Sequence, residues 1–203
     1  MIATNNTTRK KQRVIDLRCY HSELIVRDRF RKDMLWNQEK TRLSRVSSIE
    51  DDDLIERMLR MGIHAENVTA LQKFPVAMVA WASGSVSSRE AQAAFQETYT
   101  LEVSGSNSEI DLFISWLIKK PSSEMWQIWQ DYVRVRTYII GLRHTQTIGR
   151  SIYKLAEKVA MVSGGLWGYA TVCREEQEVL ERIKYCYLLE EFNVEQSSSE
   201  SIY

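Results

Sequence analysis

The residues best suited to chemistry are two glutamates that occur in a repeated pattern. Segments 86–90 (VSSRE) and 172–176 (VCREE) share the arrangement V-[S/C]-x-x-E, and each one opens a helical pattern. Carboxylate oxygens suit a divalent cation. A glutamate three residues after a serine also completes a capping box, in which its carboxylate accepts a hydrogen bond from the cap amide. Glu90 and Glu176 are therefore candidate metal ligands, but the capping interpretation is preferred.

Other chemically active side chains are isolated in the sequence. No CxxC, HExxH or phosphate-loop spacing occurs, so neither a zinc site nor a nucleotide site is indicated. We therefore predict a non-catalytic protein with no cofactor, leaving open a divalent cation at the two glutamates. The isolated cysteines and histidines are Cys19, Cys173, Cys186, His21, His64 and His144.

Charge is distributed unevenly along the 203 residues, although the net charge is zero. Residues 1–45 hold 12 Lys or Arg against 5 Asp or Glu, a net charge of +7 that the remaining residues balance with −7. A basic arm of this kind indicates a contact with an acidic surface of its own chain or another chain, or with an anionic partner. A solvated basic helix is the alternative. The candidate interaction residues here are Arg27, Arg29, Arg31, Lys32 and Trp36.

The elements that position these residues are predicted to be helices. Glycine (8) and proline (2) are scarce, and apolar residues recur at helical spacing. The sequence predicts an all-α bundle of seven to eight helices. We expect a disordered segment at 1–8, a basic amphipathic helix at 9–48, a helical domain at 49–192 and a polar tail at 193–203. Within the domain the expected helices are about 49–61, 65–82, 88–101, 109–120, 122–142, 145–162 and 174–191.

Two features of the expected helices concern the core. Pro75 removes a backbone donor, which predicts a kink or restart near residues 73–74. Four tryptophans lie in apolar helical patterns that are typical of a core: Trp81, Trp116, Trp126 and Trp129. Trp167 differs, because it lies in the glycine-rich segment LWGYA. It either fills space between two halves of the domain or anchors a partner, and we favour the first.

The stretch around Trp81 carries a resemblance to a known family. Segment 79–90 reads V-A-W-A-x-G-x-V-x-x-x-E after an apolar, proline-containing helix, and further matches occur in order at 115–121, 159–165 and 172–180. Over about residues 54–187 the chain resembles the TerB-like family, named for tellurite-resistance proteins. The resemblance implies two pseudo-symmetric helical halves, a role in bacterial stress and cell-surface processes, and divalent-metal binding through acidic residues. Ser83 stands where the family pattern has Asp, which removes a partner carboxylate for Glu90.

These patterns lead to three functional hypotheses. The first is a non-catalytic helical interaction module that docks or self-associates through the basic N-terminal helix. The second is a metal-responsive stress protein, and the third is a binder of nucleic acid or of an anionic membrane surface. No apolar segment is long enough to span a bilayer, and no signal peptide is expected. The expected location is the cytoplasm, including the periphery of the inner membrane.

Overall fold

The fold is known from a computed structural model that describes residues 4–99, 106–163 and 172–189, with side chains from Ser22 onward except that of Ser163. These ranges contain eight α-helices and no strand. The prediction of an all-α bundle of seven to eight helices is therefore confirmed. Trp167 and the predicted tail at 193–203 lie outside the described residues.

The chain divides into two compact units, Met1–Arg42 and Leu43–Tyr203. Helix α1 runs over Thr4–Ser47. It covers part of the segment 1–8 for which disorder is predicted, and disorder of that segment stays a prediction. The boundary expected near residue 48 lies earlier, because Leu43 and Ser47 are buried in the second unit.

The second unit contains the seven shorter helices. Four of their starts lie within two residues of the predicted ones, but α2 begins at Asp52 rather than near residue 49, α3 at Ala70 rather than near Ala65 and α7 at Leu142 rather than near Thr145. Helix α8 ends at Tyr187 rather than near Glu191. Their bounds are α2 (Asp52–Arg60), α3 (Ala70–Ala80), α4 (Ser88–Tyr99), α5 (Asn107–Ile118), α6 (Ser123–Ile140), α7 (Leu142–Ser163) and α8 (Arg174–Tyr187).

Local side-chain caps fix several of these boundaries. The carboxylate of Asp51 accepts a hydrogen bond from the Leu54 amide at 3.1 Å, which satisfies one of the free donors at the start of α2. Past the end of that helix, Gly62 adopts a φ of 77°, the left-handed conformation in which a glycine commonly terminates a helix. The Ser106 hydroxyl caps α5 in the same way, accepting from the Glu109 amide at 3.1 Å.

Helix α3 is the centre of the second unit. Nine of its eleven residues are buried, on all sides of the helix, and it packs against α4, α5, α6, α7 and α8. Pro75 lies within it, and the helix runs through that position without a restart, so of the two predicted outcomes only a kink stays a prediction. Pro75 removes only one backbone donor, and burial of the surrounding apolar residues offsets that loss.

Aromatic rings from three helices meet around Phe74 of α3. Its ring centroid lies 5.4 Å from that of Trp116 and 5.3 Å from that of Trp126, both in edge-to-face arrangements. Trp129 is fully buried beside them, and the half-buried Trp81 donates its indole N–H to the Trp116 carbonyl at 2.7 Å. The prediction that these tryptophans belong to the core is confirmed for Trp116, Trp126 and Trp129, whereas Trp81 is only half buried at the end of α3.

Helices α7 and α8 meet at a glycine. A Cβ built on Gly149 would lie only 2.4 Å from Cγ of Tyr187, so the tyrosine ring lies directly on the α7 backbone. That ring also packs edge-on against Trp129, with centroids 5.7 Å apart. Gly149 is therefore required for close approach of the two helices and not for a special backbone conformation.

We predict that Gly149→Ala destabilises the protein by about 1–3 kcal/mol, because the added methyl group overpacks the contact with Tyr187. At an exposed position in a helix, a change from Gly to Ala would stabilise the protein by about 1 kcal/mol. The sign of the change in unfolding free energy therefore distinguishes a packed glycine from an exposed one. Urea unfolding followed by circular dichroism measures the difference. Ser151→Ala, at an exposed position of the same helix, is the control and should change stability by less than about 0.5 kcal/mol. Equal or greater stability of Gly149→Ala would contradict the packing.

Candidate functional site

The two glutamates singled out as candidate metal ligands both cap helices. The Ser87 amide donates to Oε2 of Glu90 at 2.7 Å, and the Glu90 amide donates to the Ser87 hydroxyl at 3.2 Å. At α8, the Cys173 amide donates to Oε2 of Glu176 at 2.8 Å, and the Glu176 amide donates to the Cys173 sulfur at 3.4 Å. The capping prediction is confirmed at both sites.

The capping role does not by itself decide the metal hypothesis. Within the described residues, no group of three or more His, Cys, Asp or Glu side chains is arranged to hold a metal ion. Ser83, at the position of the family's Asp, donates its hydroxyl hydrogen bond to the Ser85 carbonyl at 3.1 Å. Metal binding by Glu90 and Glu176 stays a prediction.

A buried ionic cluster forms where α3, α4 and α5 meet, and the sequence reasoning missed it. Lys73 Nζ lies 2.7 Å from Oε1 of Glu109, and the Thr69 hydroxyl donates to Oε2 at 2.6 Å. The lysine ammonium also lies 4.0 Å from the ring centroid of Tyr99. Burial raises the pKa of the Tyr99 hydroxyl, and the negative charge of Glu109 raises it further.

The sequence contained a misleading signal for this cluster. Ser106 and Glu109 have the same S-x-x-E spacing as Ser87 and Glu90, which predicts a capping box. The hydroxyl of Ser106 does cap the helix, but the Glu109 carboxylate turns to Lys73 on another helix. The pairing partner lies 36 residues away, so the local pattern could not reveal it.

Glu109 has hydrogen-bonding partners on both carboxylate oxygens, and its side chain is almost completely buried. Such a group is held in place by its partners and offers no face to a substrate. A buried pair of this kind contributes less stability than its short distances suggest, because desolvation opposes the attraction, but losing one partner is costly. We therefore assign the cluster a structural role in joining α3 to α5.

A small cavity lies between α3, α6, α7 and α8. It encloses only about 10 Å³, room for about one water molecule and too little for a ligand. Gln72, Tyr132, Arg136, Thr145 and Tyr187 supply its polar lining. Burial raises the pKa of both tyrosine hydroxyls, which therefore stay protonated to higher pH than an exposed tyrosine.

The two cysteines with described side chains are both half-buried. Cys173 caps α8, and the Cys186 sulfur lies 3.6 Å from the Gln130 amide nitrogen. Burial raises the pKa of both thiols, which lowers the fraction of reactive thiolate at neutral pH. These environments disfavour nucleophilic catalysis by either residue.

The predicted interaction residues on the N-terminal helix are all exposed. At 100° per residue, Arg27 and Arg31 lie about 40° apart on one side of the helix. Arg29 and Lys32 project from other sides, so the four cations do not form a single basic stripe. Trp36 is exposed among them.

Comparison with family models, with curated proteins and with solved structures finds no match to this chain. The resemblance to the TerB-like family, with its two pseudo-symmetric halves, stays a prediction. Among the described helices, none is long and apolar enough to cross a membrane.

We predict that Lys73→Met destabilises the protein by about 3 kcal/mol, because it leaves the Glu109 carboxylate buried without its cation. Lys73→Met combined with Glu109→Leu should recover most of this loss, because the pair is then replaced by apolar groups. Urea unfolding of the single and double variants measures the effect. Glu97→Gln, which breaks the exposed Glu97–Lys158 pair, is the control and should cost less than about 1 kcal/mol. A double variant no more stable than Lys73→Met would argue against the structural assignment.

We also predict an alkaline loss of stability from the buried tyrosines. The pKa of Tyr187 is raised in the folded state above its ordinary value of 10.0. Its stabilising contribution is complete below about pH 10 and is lost as the pH rises further, because the unfolded chain then releases the proton first. Urea unfolding between neutral pH and pH 11 should show a shallower alkaline decline for Tyr187→Phe than for the wild type. Tyr138→Phe, at an exposed ring, should follow the wild-type profile; parallel profiles for all three proteins would refute the prediction.

Proposed function

We propose that this protein is a non-catalytic interaction module that self-associates through the N-terminal helix. One observation carries the proposal: large apolar side chains stand exposed along the first unit. Val26 and Phe30 are 67% and 65% exposed, and Ile25, Met34 and Leu35 are exposed beside them. A partner that covers these side chains removes apolar surface from water, which favours association.

The arrangement of these side chains favours a protein partner over a flat surface. Val26, Phe30 and Met34 follow one another at four-residue spacing and lie within an arc of about 80°. Leu35 projects from the opposite side of the helix to Val26, and Ile25 lies between the two. A membrane surface would cover one side only, whereas packing among other helices covers several.

Charge indicates a second copy of the chain as that partner. Residues 1–45 carry a net charge of +7, and the remaining residues carry −7. Two copies can therefore place the basic helix of each against an acidic surface of the other. This contact would weaken as salt screens it, while the apolar contribution would remain.

The cellular setting is proposed from the sequence alone. The resemblance to the TerB-like family supports a bacterial stress-related role, and three isolated cysteines support a reducing compartment such as the cytoplasm. The capping roles of Glu90 and Glu176 give no support to metal sensing as the main activity. The interaction function does not depend on a metal.

We predict that Val26→Ser, Phe30→Ser and Met34→Ser together lower the mass of the protein in solution towards that of a single chain. Light scattering after size exclusion, over a wide range of concentration and at two salt concentrations, measures the mass. Substitution is preferred to deletion of the helix, because Leu43 and Ser47 at its end are buried in the second unit.

A control for this experiment uses an exposed polar residue of the same helix. Asp28→Ser, about 200° around the helix from Val26, should leave the assembly intact. Thermal unfolding should be similar in the control and in the triple variant. A wild-type protein that stays monomeric at every concentration, or equal masses for the two variants, would contradict self-association through the apolar side chains.

A further inference from the structure

A second exposed surface lies at the junction of α6 and α7. Gly141 adopts a φ of 83°, which lets one helix end and the next begin without a loop. Tyr138 is 92% exposed, and Ile139 and Leu142 on either side of the glycine are also exposed. Segment 138–142, here called the apolar tip, therefore lies at the surface of the second unit: the Tyr138 ring projects, Ile139 and Leu142 are 39% and 45% exposed, and Ile140 is partly covered.

The surroundings of the apolar tip are basic. Residues 132–156 contain five Lys or Arg and no Asp or Glu. Arg143, Arg150 and Lys154 are exposed on α7, and their spacing places them within an arc of about 40° on one side of that helix. Asp131 and Glu157 are the nearest acidic residues in sequence on either side. These three cations, here called the ridge, thus lie along one side of α7 and lead away from the apolar tip.

We propose that the apolar tip and this ridge dock onto an anionic phospholipid surface. The Tyr138 ring projects, so the tip offers no groove for a peptide, whereas lipid can accept a projecting side chain without a complementary pocket. Nucleic acid would satisfy the cations and could stack on Tyr138, but it would leave Ile139 and Leu142 in water. An anionic bilayer supplies phosphates for the ridge and an apolar region for the tip.

The contact is peripheral and uses a different surface from the proposed self-association. Ile139, Leu142 and the ring of Tyr138 enter the headgroup region, where an aromatic ring with a polar end is well accommodated. Arg143, Arg150 and Lys154 lie against lipid phosphates. Only three side chains of the tip enter the lipid, so attachment depends on attraction between the ridge and lipid phosphates. Salt screens this attraction and should reverse the attachment.

Co-sedimentation of the full chain with vesicles tests the proposal. Vesicles of phosphatidylcholine containing one third phosphatidylglycerol should bind the protein at low salt, and pure phosphatidylcholine vesicles should not. Arg143→Gln, Arg150→Gln and Lys154→Gln together should weaken binding by about a hundredfold. Ile139→Ser with Leu142→Ser should weaken it by about tenfold. Circular dichroism verifies that each variant is folded.

The matched control is Met161→Ser, an exposed apolar position near the far end of α7, about 28 Å along the helix from Leu142. It should bind vesicles as the wild type does, and so should the triple serine variant of Val26, Phe30 and Met34. Vesicle binding that survives both tip and ridge substitutions, or that is lost only in that triple variant, would overturn the proposal.

A measurement on the wild-type protein does not depend on the folding of any variant. Amide hydrogen exchange over residues 138–144 should slow when anionic vesicles are added and should stay unchanged with neutral vesicles. Unchanged exchange with both kinds of vesicle would overturn the proposal. So would retention on single-stranded nucleic acid without any binding to vesicles, which would reassign the ridge to a different partner.

Discussion

The burial of α3 on every side is the constraint on which the second unit depends. A helix with an apolar surface all round must be enclosed by neighbours, and five helices do so here. Phe74 then fixes the positions of Trp116 and Trp126, because edge-to-face rings tolerate few alternative arrangements. Lys73 is a charged residue on this buried helix, and its need for a counter-charge explains why Glu109 turns inward.

Features governed by neighbouring residues could be predicted from the sequence. Glu90 and Glu176 act as capping residues because the free amide that each must satisfy lies three residues away. Gly62 ends a helix because the left-handed conformation it needs is costly for other residues. The tryptophans of the core were found for a similar reason, since helical spacing alone places them on apolar faces.

Features that depend on distant residues could not be predicted. Ser106 and Glu109 repeat the capping pattern, yet the carboxylate bonds to Lys73 because that ammonium is buried within reach. Gly149 looks like an ordinary helix-weakening residue until Tyr187 is found against it. The unit boundary at Arg42 is equally invisible in sequence, because the helix continues to Ser47 without an interruption.

The surfaces proposed for function were the hardest to predict, because exposure is a property of the folded chain. In sequence, the segment YIIGL reads as the apolar end of a core helix, like the tryptophan-rich segment before it. This segment lies further along α6 than Tyr132 and Val133, which are both buried. The helix then extends past the edge of the packed core, so apolar residues in this part of it are exposed and not buried. An apolar residue stabilises the fold where a neighbouring helix covers it, and it becomes available to a partner one or two turns further on.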